Sequence, residues 1–158
     1  KIFVECYNNK NGLKDYFISY ESIDKVALFG FIRLRLPMKN IKLQDQDLFP
    51  VLQNKALIRE LHVYGYNTSV GNQVKASQHR GIGSKLLKKA EQIAYYNNYP
   101  GLVVISGEGV KEYYEKKGYN EKDTYMYKNY IIKFYSFLKI ILIIMIIMII
   151  MIINKLKY

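Results

Sequence analysis

The stretch that most limits what this chain can become is ASQHRGIGSKLLKKAEQIA, residues 76–94. Ile82, Leu86, Leu87, Ala90, Ile93 and Ala94 recur at spacings that form one apolar stripe at helical period, and Lys85, Lys88, Lys89, Glu91 and Gln92 take the other face. Such a helix has to lie against something. Ahead of it, Gly81 and Gly83 let the backbone come close to a ligand. The free N–H groups and the positive dipole end of a helix N-terminus point the same way. This loop is expected to hold an anion.

The flanking segments predict a mixed α/β domain. KVALFGFIRLRL (25–36) reads as a strand, with Val26, Leu28, Ile32, Leu34 and Leu36 on one parity and Arg33 and Arg35 on the other. ALIRELHVYG (56–65) is a second strand ending at Gly65. GLVVIS (101–106) is a continuous apolar run, the pattern of a strand covered on both faces. The patterned helix is expected from Ile82 to Asn97, and a short one from Val110 to Lys117, stopped by Gly118. Strand, loop, helix and strand make one crossover unit. Residues 66–77 are polar without apolar period and read as a flexible insertion.

Charge and cysteine content bound the partners. Lys and Arg number 24 against 13 Asp and Glu; only Lys133, Lys139, Lys155 and Lys157 lie beyond residue 130, so the basic excess belongs to the domain too. That favours anionic partners such as nucleotides, tRNA or a membrane surface. A single cysteine, Cys6, excludes an internal disulfide framework and a multi-cysteine metal site, and reads as a small semi-buried apolar residue. Near residue 130 the composition changes. FYSFLKIILIIMIIMIIMII (134–153) carries only Lys139 as a charge, and about 20 apolar residues match a hydrocarbon core of about 30 Å. The expectation is a domain over 1–130 followed by one transmembrane helix over 134–153, with the domain in the cytosol. The mitochondrial outer membrane is favoured over the endoplasmic reticulum.

Gly83-Ser84-Lys85 has the wrong order for a nucleoside-triphosphate loop, and two glycines fall short of the three-glycine dinucleotide fingerprint. Gln78-x-x-Gly81-x-Gly83 does fit the loop signature of the GNAT acetyltransferases. With LIRELHVYG (57–65), QHRGIGSKLLKKAEQIA (78–94), VISGEGVKEYYEKKGY (104–119) and YMYK (125–128) in order, residues 1–129 resemble the C-terminal acetyltransferase domain of the Elongator catalytic subunit. GLKDYFISYE and LFGFIRLRL resemble that domain's first strands. Three positions depart from the family pattern: Glu108 replaces an apolar residue, Lys111 an Arg, and Asp123-Thr124 a Gly-Pro.

The resemblance implies a GNAT fold, a central mixed sheet flanked by helices, that binds acetyl-CoA. It implies that the strand at 56–63 splays from its neighbour, leaving backbone groups at Glu60, Leu61, His62 and Val63 for the pantetheine arm and for polarising the thioester carbonyl. The amides of Gln78, His79, Arg80, Gly81, Ile82, Gly83 and Ser84 would hold the pyrophosphate, with charge from Arg80 and Lys85. Ser106, Gly107, Tyr113 and Tyr114 would also contact the cofactor, and Tyr113 or Tyr114, not separable from sequence, would protonate the departing thiolate. The same residues also have plainer readings: Glu60 paired with an Arg, His62 as a structural histidine, His79 and Lys85 as exposed surface. Arg33 and Arg35, with Lys39 and Lys42, could track phosphates of tRNA or simply face solvent.

By resemblance the product is a carboxymethyl-type substituent on C5 of a wobble uridine in tRNA, with other Elongator subunits as partners. S-adenosylmethionine and an iron–sulfur cluster are expected only in an N-terminal radical-SAM domain that this sequence lacks, and no metal ligands are expected here. Two further readings stand beside this one. One is a histone or protein lysine acetyltransferase; the other is a non-catalytic, membrane-anchored Elongator scaffold piece.

Overall fold

The computed structural model describes residues 1–8, 13–37, 49–64 and 81–156, and in the final helix the side chains of 139–152. Seven strands form one sheet in the order β1-β2-β3-β4-β5-β7-β6. They are β1 (Ile2–Asn8), β2 (Lys14–Glu21), β3 (Leu28–Leu36), β4 (Ala56–Val63), β5 (Gly101–Ile105), β6 (Asn120–Lys122) and β7 (Tyr125–Asn129). The first four pair antiparallel, whereas β4 and β5 run parallel. Between those two the chain passes through helix α1 (Ile82–Tyr96), the connection a parallel pair requires.

The period-2 and period-3.6 patterns meet at one layer. Ile32, Leu34 and Leu36 of β3 are buried, and Ile18 of β2 lies opposite Ile32 in register. Against this face α1 buries Ile82, Leu86, Leu87, Ala90 and Ala94, with the two alanines letting the helix axis sit close. Leu102, Val103 and Val104 of β5 are all buried, as a continuous apolar run requires. Burial of each such side chain contributes roughly 1.5–3 kcal/mol. A 3-10 turn (Glu108–Val110) leads into the short helix α2 (Lys111–Glu115), and Gly118 ends that segment at φ +80°.

Some expectations change. The strand predicted from residue 25 starts at Leu28, because Ser22 and Asp24 build a turn first: the Ala27 carbonyl accepts from the Ser22 N–H at 2.9 Å, and Asp24 Oδ1 accepts from the Val26 N–H at 3.2 Å. Val26 is consequently 85% exposed. Cys6, expected semi-buried, is exposed on edge strand β1. The second helix is five residues rather than eight, its first turn wound as 3-10. Gly65 and the insertion at 66–77 lie outside the described residues.

Residues Lys1–Lys128 and Asn129–Tyr158 form two compact units. The second is helix α3 (Ile131–Leu156), in which every apolar side chain from Ile140 to Ile152 is between 40% and 66% exposed. Among the described residues no helix is long and apolar enough to cross a membrane.

Candidate active site

The site begins with a mismatch in strand pairing. On β3, Arg33 faces Glu60 and Leu34 faces Ile58, so Arg59 is an extra residue in β4, a β-bulge. The ladder to β5 covers Ala56–Ile58 against Leu102–Val104 and goes no further along β4. Beyond the bulge the Tyr64 N–H donates to the Phe29 carbonyl at 2.9 Å, toward β3. Backbone groups alternate sides along a strand, so the N–H and C=O of Val63 and Leu61 turn the other way, into the gap beside β5.

Into this gap points the start of α1. Gly81, at φ +93°, supplies the left-handed turn, and no side chain among the described residues caps the helix. The first turn carries no acidic residue, so its free N–H groups and positive dipole end face no carboxylate of their own. A Cβ on Gly30 of β3 would stand 2.8 Å from the His62 carbonyl and 3.4 Å from Ile82 Cγ2, so glycine there lets the helix start rest on the sheet. A Cβ on Gly83 would stand 3.1 Å from the Tyr113 hydroxyl and 3.5 Å from Val63 Cγ2. Any side chain at Gly83 would occupy the cleft.

The cleft has a volume of about 330 Å³ and is lined by Leu61, Val63, Gly81, Gly83, Val110 and Tyr113, with Ser84 and Tyr114 at its margin. The Tyr113 hydroxyl is buried and has no hydrogen-bond partner among the described residues, and the same is true of Ser106 Oγ. A buried hydroxyl without a partner is costly, and one that borders a cleft is available to a ligand. Tyr114, packed edge-on against Tyr113 at 5.2 Å and Tyr119 at 5.7 Å, has its phenol pushed up to about 12 by burial, with the neighbouring Tyr113 adding to it.

The predicted residues therefore divide. Leu61, Val63, Gly81, Gly83, Ser84, Tyr113 and Tyr114 come together around one cleft; Ile82 is buried beneath it, and Gly107 caps the 3-10 turn next to it. Glu60 and His62 turn their side chains to the opposite face of the sheet. There Glu60 pairs with Arg33 at 3.7 Å, and His62 stacks on Phe31 at 5.9 Å and meets the Tyr64 ring at a tilt, 4.7 Å between centroids. Arg35 grips Asp15 through two hydrogen bonds of 2.7 and 2.8 Å, which hold the Asp15 carboxyl below its usual range. Both arginines are thus engaged with carboxylates on the face of the sheet away from α1. Lys85 lies over the Tyr20 ring at 5.3 Å. Gln78, His79, Arg80, Lys39 and Lys42 lie outside the described residues. Among the described residues no group of three His, Cys, Asp or Glu side chains is placed to hold a metal ion. Gly30 and Val110 were missed from sequence, though a glycine inside a strand is a signal of close backbone approach.

The geometry fits a thioester carrier with an anionic end. Among the described residues it offers helix N–H groups and a strand edge without backbone partners, and the buried Tyr113 hydroxyl, within a single cleft.

No family model matches the chain. It is 39% identical over 126 residues to the tRNA uridine(34) acetyltransferase of Dehalococcoides mccartyi, covering 75% of this chain and 26% of that protein. It is 40% identical over 122 residues to Elongator complex protein 3 of Schizosaccharomyces pombe, covering 75% and 21%. The solved structure of the archaeal Methanocaldococcus infernus Elp3 with an N-terminal deletion superposes with a TM-score of 0.65 at 35% identity, covering 82% of this chain and 29% of that one. The chain spans about a quarter of the length of the curated relatives it matches.

Proposed function

We propose that residues 1–130 are an acetyl-CoA-binding acetyltransferase domain of the Elongator type, with a GNAT fold, acting in the modification of C5 of the wobble uridine of tRNA. The observation that carries this reading is the Tyr113 hydroxyl, buried and without a partner among the described residues, opposite Gly83 at the open end of β4. The relative named above as a tRNA uridine(34) acetyltransferase supports the substrate class. The basic excess of the domain suits RNA better than it suits a lysine-rich peptide.

Each residue then has one task. The N–H groups from Ile82 to Ser84 and the α1 dipole bind the pyrophosphate. The edge amides at Leu61 and Val63 hold the pantetheine arm and stabilise the charge that develops on the carbonyl oxygen. Val110, Leu61 and Val63 give the thioester end of the cleft an apolar lining. In the tRNA-stimulated hydrolysis of the thioester, a water oxygen bonds to the carbonyl carbon as the carbon–sulfur bond breaks, the Tyr113 hydroxyl gives its proton to the departing thiolate, and the phenolate takes back the proton the water oxygen releases, leaving acetic acid and CoA. Tyr114 packs beside it and stays neutral. The backbone groups of Glu60 and His62 face β3, on the same side as the Tyr64 N–H, and take no part in the cleft.

We further propose that residues 134–153 anchor the domain to a membrane with the domain facing the cytosol, the mitochondrial outer membrane ahead of the endoplasmic reticulum. The support is the apolar sequence, uninterrupted over 140–153 with Lys139 as the one charge in the span, and the exposure of consecutive apolar side chains from Ile140 to Ile152 of α3, a helix surface suited to lipid. Other Elongator subunits are proposed partners. The S-adenosylmethionine and iron–sulfur chemistry of the proposed pathway lies outside this domain.

Calorimetric titration of CoA tests the cleft. Wild type should bind, and Gly83→Asp should lose binding while keeping its melting temperature. A folded wild type that binds no CoA would leave the scaffold reading in its place. Acetylation of a histone peptide in preference to tRNA-stimulated turnover would favour the lysine acetyltransferase.

A further inference from the structure

Tyr113 lies on a helix of five residues, far too short to be stable by itself, and its hydroxyl makes no hydrogen bond to any described residue that would fix it. Something else sets its place against Gly83. Two lysines reach the ends of α2. At its start, Lys111 Nζ meets Glu108 at 2.6 Å and Glu121 of β6 at 2.7 Å, with its own side chain only 14% exposed. At its end, Lys128 Nζ of β7 donates to the Lys117 carbonyl at 2.9 Å and to Glu91 of α1 at 2.8 Å. The Tyr119 hydroxyl donates to the same Glu91 carboxylate at 3.0 Å. The other ion pair of this helix, Lys116–Glu112, stays within it and ties it to nothing.

We propose that the β6–β7 hairpin is the mount of the proposed active site: Lys111 ties the start of α2 to β6, and Lys128 ties its end to both β7 and α1, which fixes the Tyr113 hydroxyl opposite Gly83. This rests on the acetyltransferase reading above. Two positions that depart from the family pattern become one device, since Glu108 supplies the second carboxylate that Lys111 engages. The two carboxylates hold the Lys111 ammonium above its usual pKa, so it stays charged throughout the neutral range. Lys111 and Lys128 are positioning residues and touch neither the cleft nor its contents. A displaced proton donor slows chemistry more than it weakens binding. The pyrophosphate end at Gly81–Ser84 is untouched by either lysine.

The test compares wild type, Glu121→Lys, Lys111→Glu, the exchanged pair Lys111→Glu/Glu121→Lys, and Lys128→Met, all in the full chain in detergent. Three quantities are read: amide exchange over residues 108–117, the Kd for CoA, and acetyl-CoA turnover at saturation with tRNA. Each single variant should exchange faster over 108–117 and turn over roughly three- to tenfold more slowly, with the Kd within about twofold of wild type. The exchanged pair, which rebuilds one ammonium between two carboxylates, should restore both exchange and turnover. Unchanged exchange in the single variants, or an exchanged pair no better than they are, overturns the mount. If wild type neither binds CoA nor turns over acetyl-CoA, the acetyltransferase reading fails, and the exchange measurements still decide the mount.

Discussion

At the scale of single residues the site turns on two adjacent tyrosines that the sequence could not separate. Successive residues on a helix point about 100° apart, so only the packing of α2 decides which one meets α1. Tyr113 is the one whose hydroxyl lies opposite Gly83, whereas Tyr114 packs against Tyr119. Tyr113→Phe should leave the melting temperature unchanged or slightly higher, because it removes a buried polar atom without a partner. Acetyl-CoA turnover should fall about 100-fold, the lower end of what a general acid contributes. Gly83→Asp separates stability from function in a second way. A carboxylate in the first turn stabilises a helix by about 0.3–1 kcal/mol, yet it fills the cleft and repels a pyrophosphate. Tyr114 gives a pH prediction. Its pKa is raised from 10.0 to about 12, so the folded state holds the proton more tightly than the unfolded chain. Its contribution is complete below pH 10 and is lost as the pH rises toward 12, on the order of 2 kcal/mol. In urea titrations at stepped pH, Tyr114→Phe should lose less stability across that window than wild type does. The parity of Glu60 and His62 was legible from the strand pattern, but which face of the sheet they would occupy was not, since that depends on where α1 lands.

At the scale of elements, the period-2 run of β3, the apolar run of β5 and the stripe of α1 carried their own assignments. What the sequence did not mark was the bulge at Arg59, which alters no pattern strongly and arises from pairing with β3, a partner distant in the chain. Edge strand β1 went unpredicted because it is mostly exposed and so carries little apolar alternation. The β6–β7 turn is a two-residue hairpin loop, with Lys122 opposite Tyr125 and both central residues left-handed, Asp123 at φ +52° and Thr124 at +68°. That turn type favours glycine at its second position, and a β-branched residue there is strained. Thr124→Gly should therefore stabilise the domain by about 1 kcal/mol, read as a rise in melting temperature of a few degrees. A fall would show that the turn relaxes in solution to another form. Gly30→Val should do the opposite. Its side chain meets the His62 carbonyl and Ile82, with a cost of about 1–3 kcal/mol expected from overpacking.

At the scale of the whole molecule, the change of composition near residue 130 coincides with the division into units at Lys128 and Asn129. The span proposed for 134–153 has a direct check in flotation with phospholipid vesicles. Wild type should float, and Ile146→Lys, which puts a charge at the middle of the apolar run, should cut the membrane-bound fraction by about 100-fold. That is the equivalent of the roughly 2.5–3.5 kcal/mol that a central lysine costs. Equal flotation of both would remove the anchor. The most direct measurement of all is acetyl-CoA hydrolysis by the full chain, with and without tRNA, in wild type and Tyr113→Phe. Turnover stimulated by tRNA in wild type and nearly abolished in Tyr113→Phe is the expected result. A well-folded wild type with no turnover, or a Tyr113→Phe variant as fast as wild type, would contradict the assignment of this cleft.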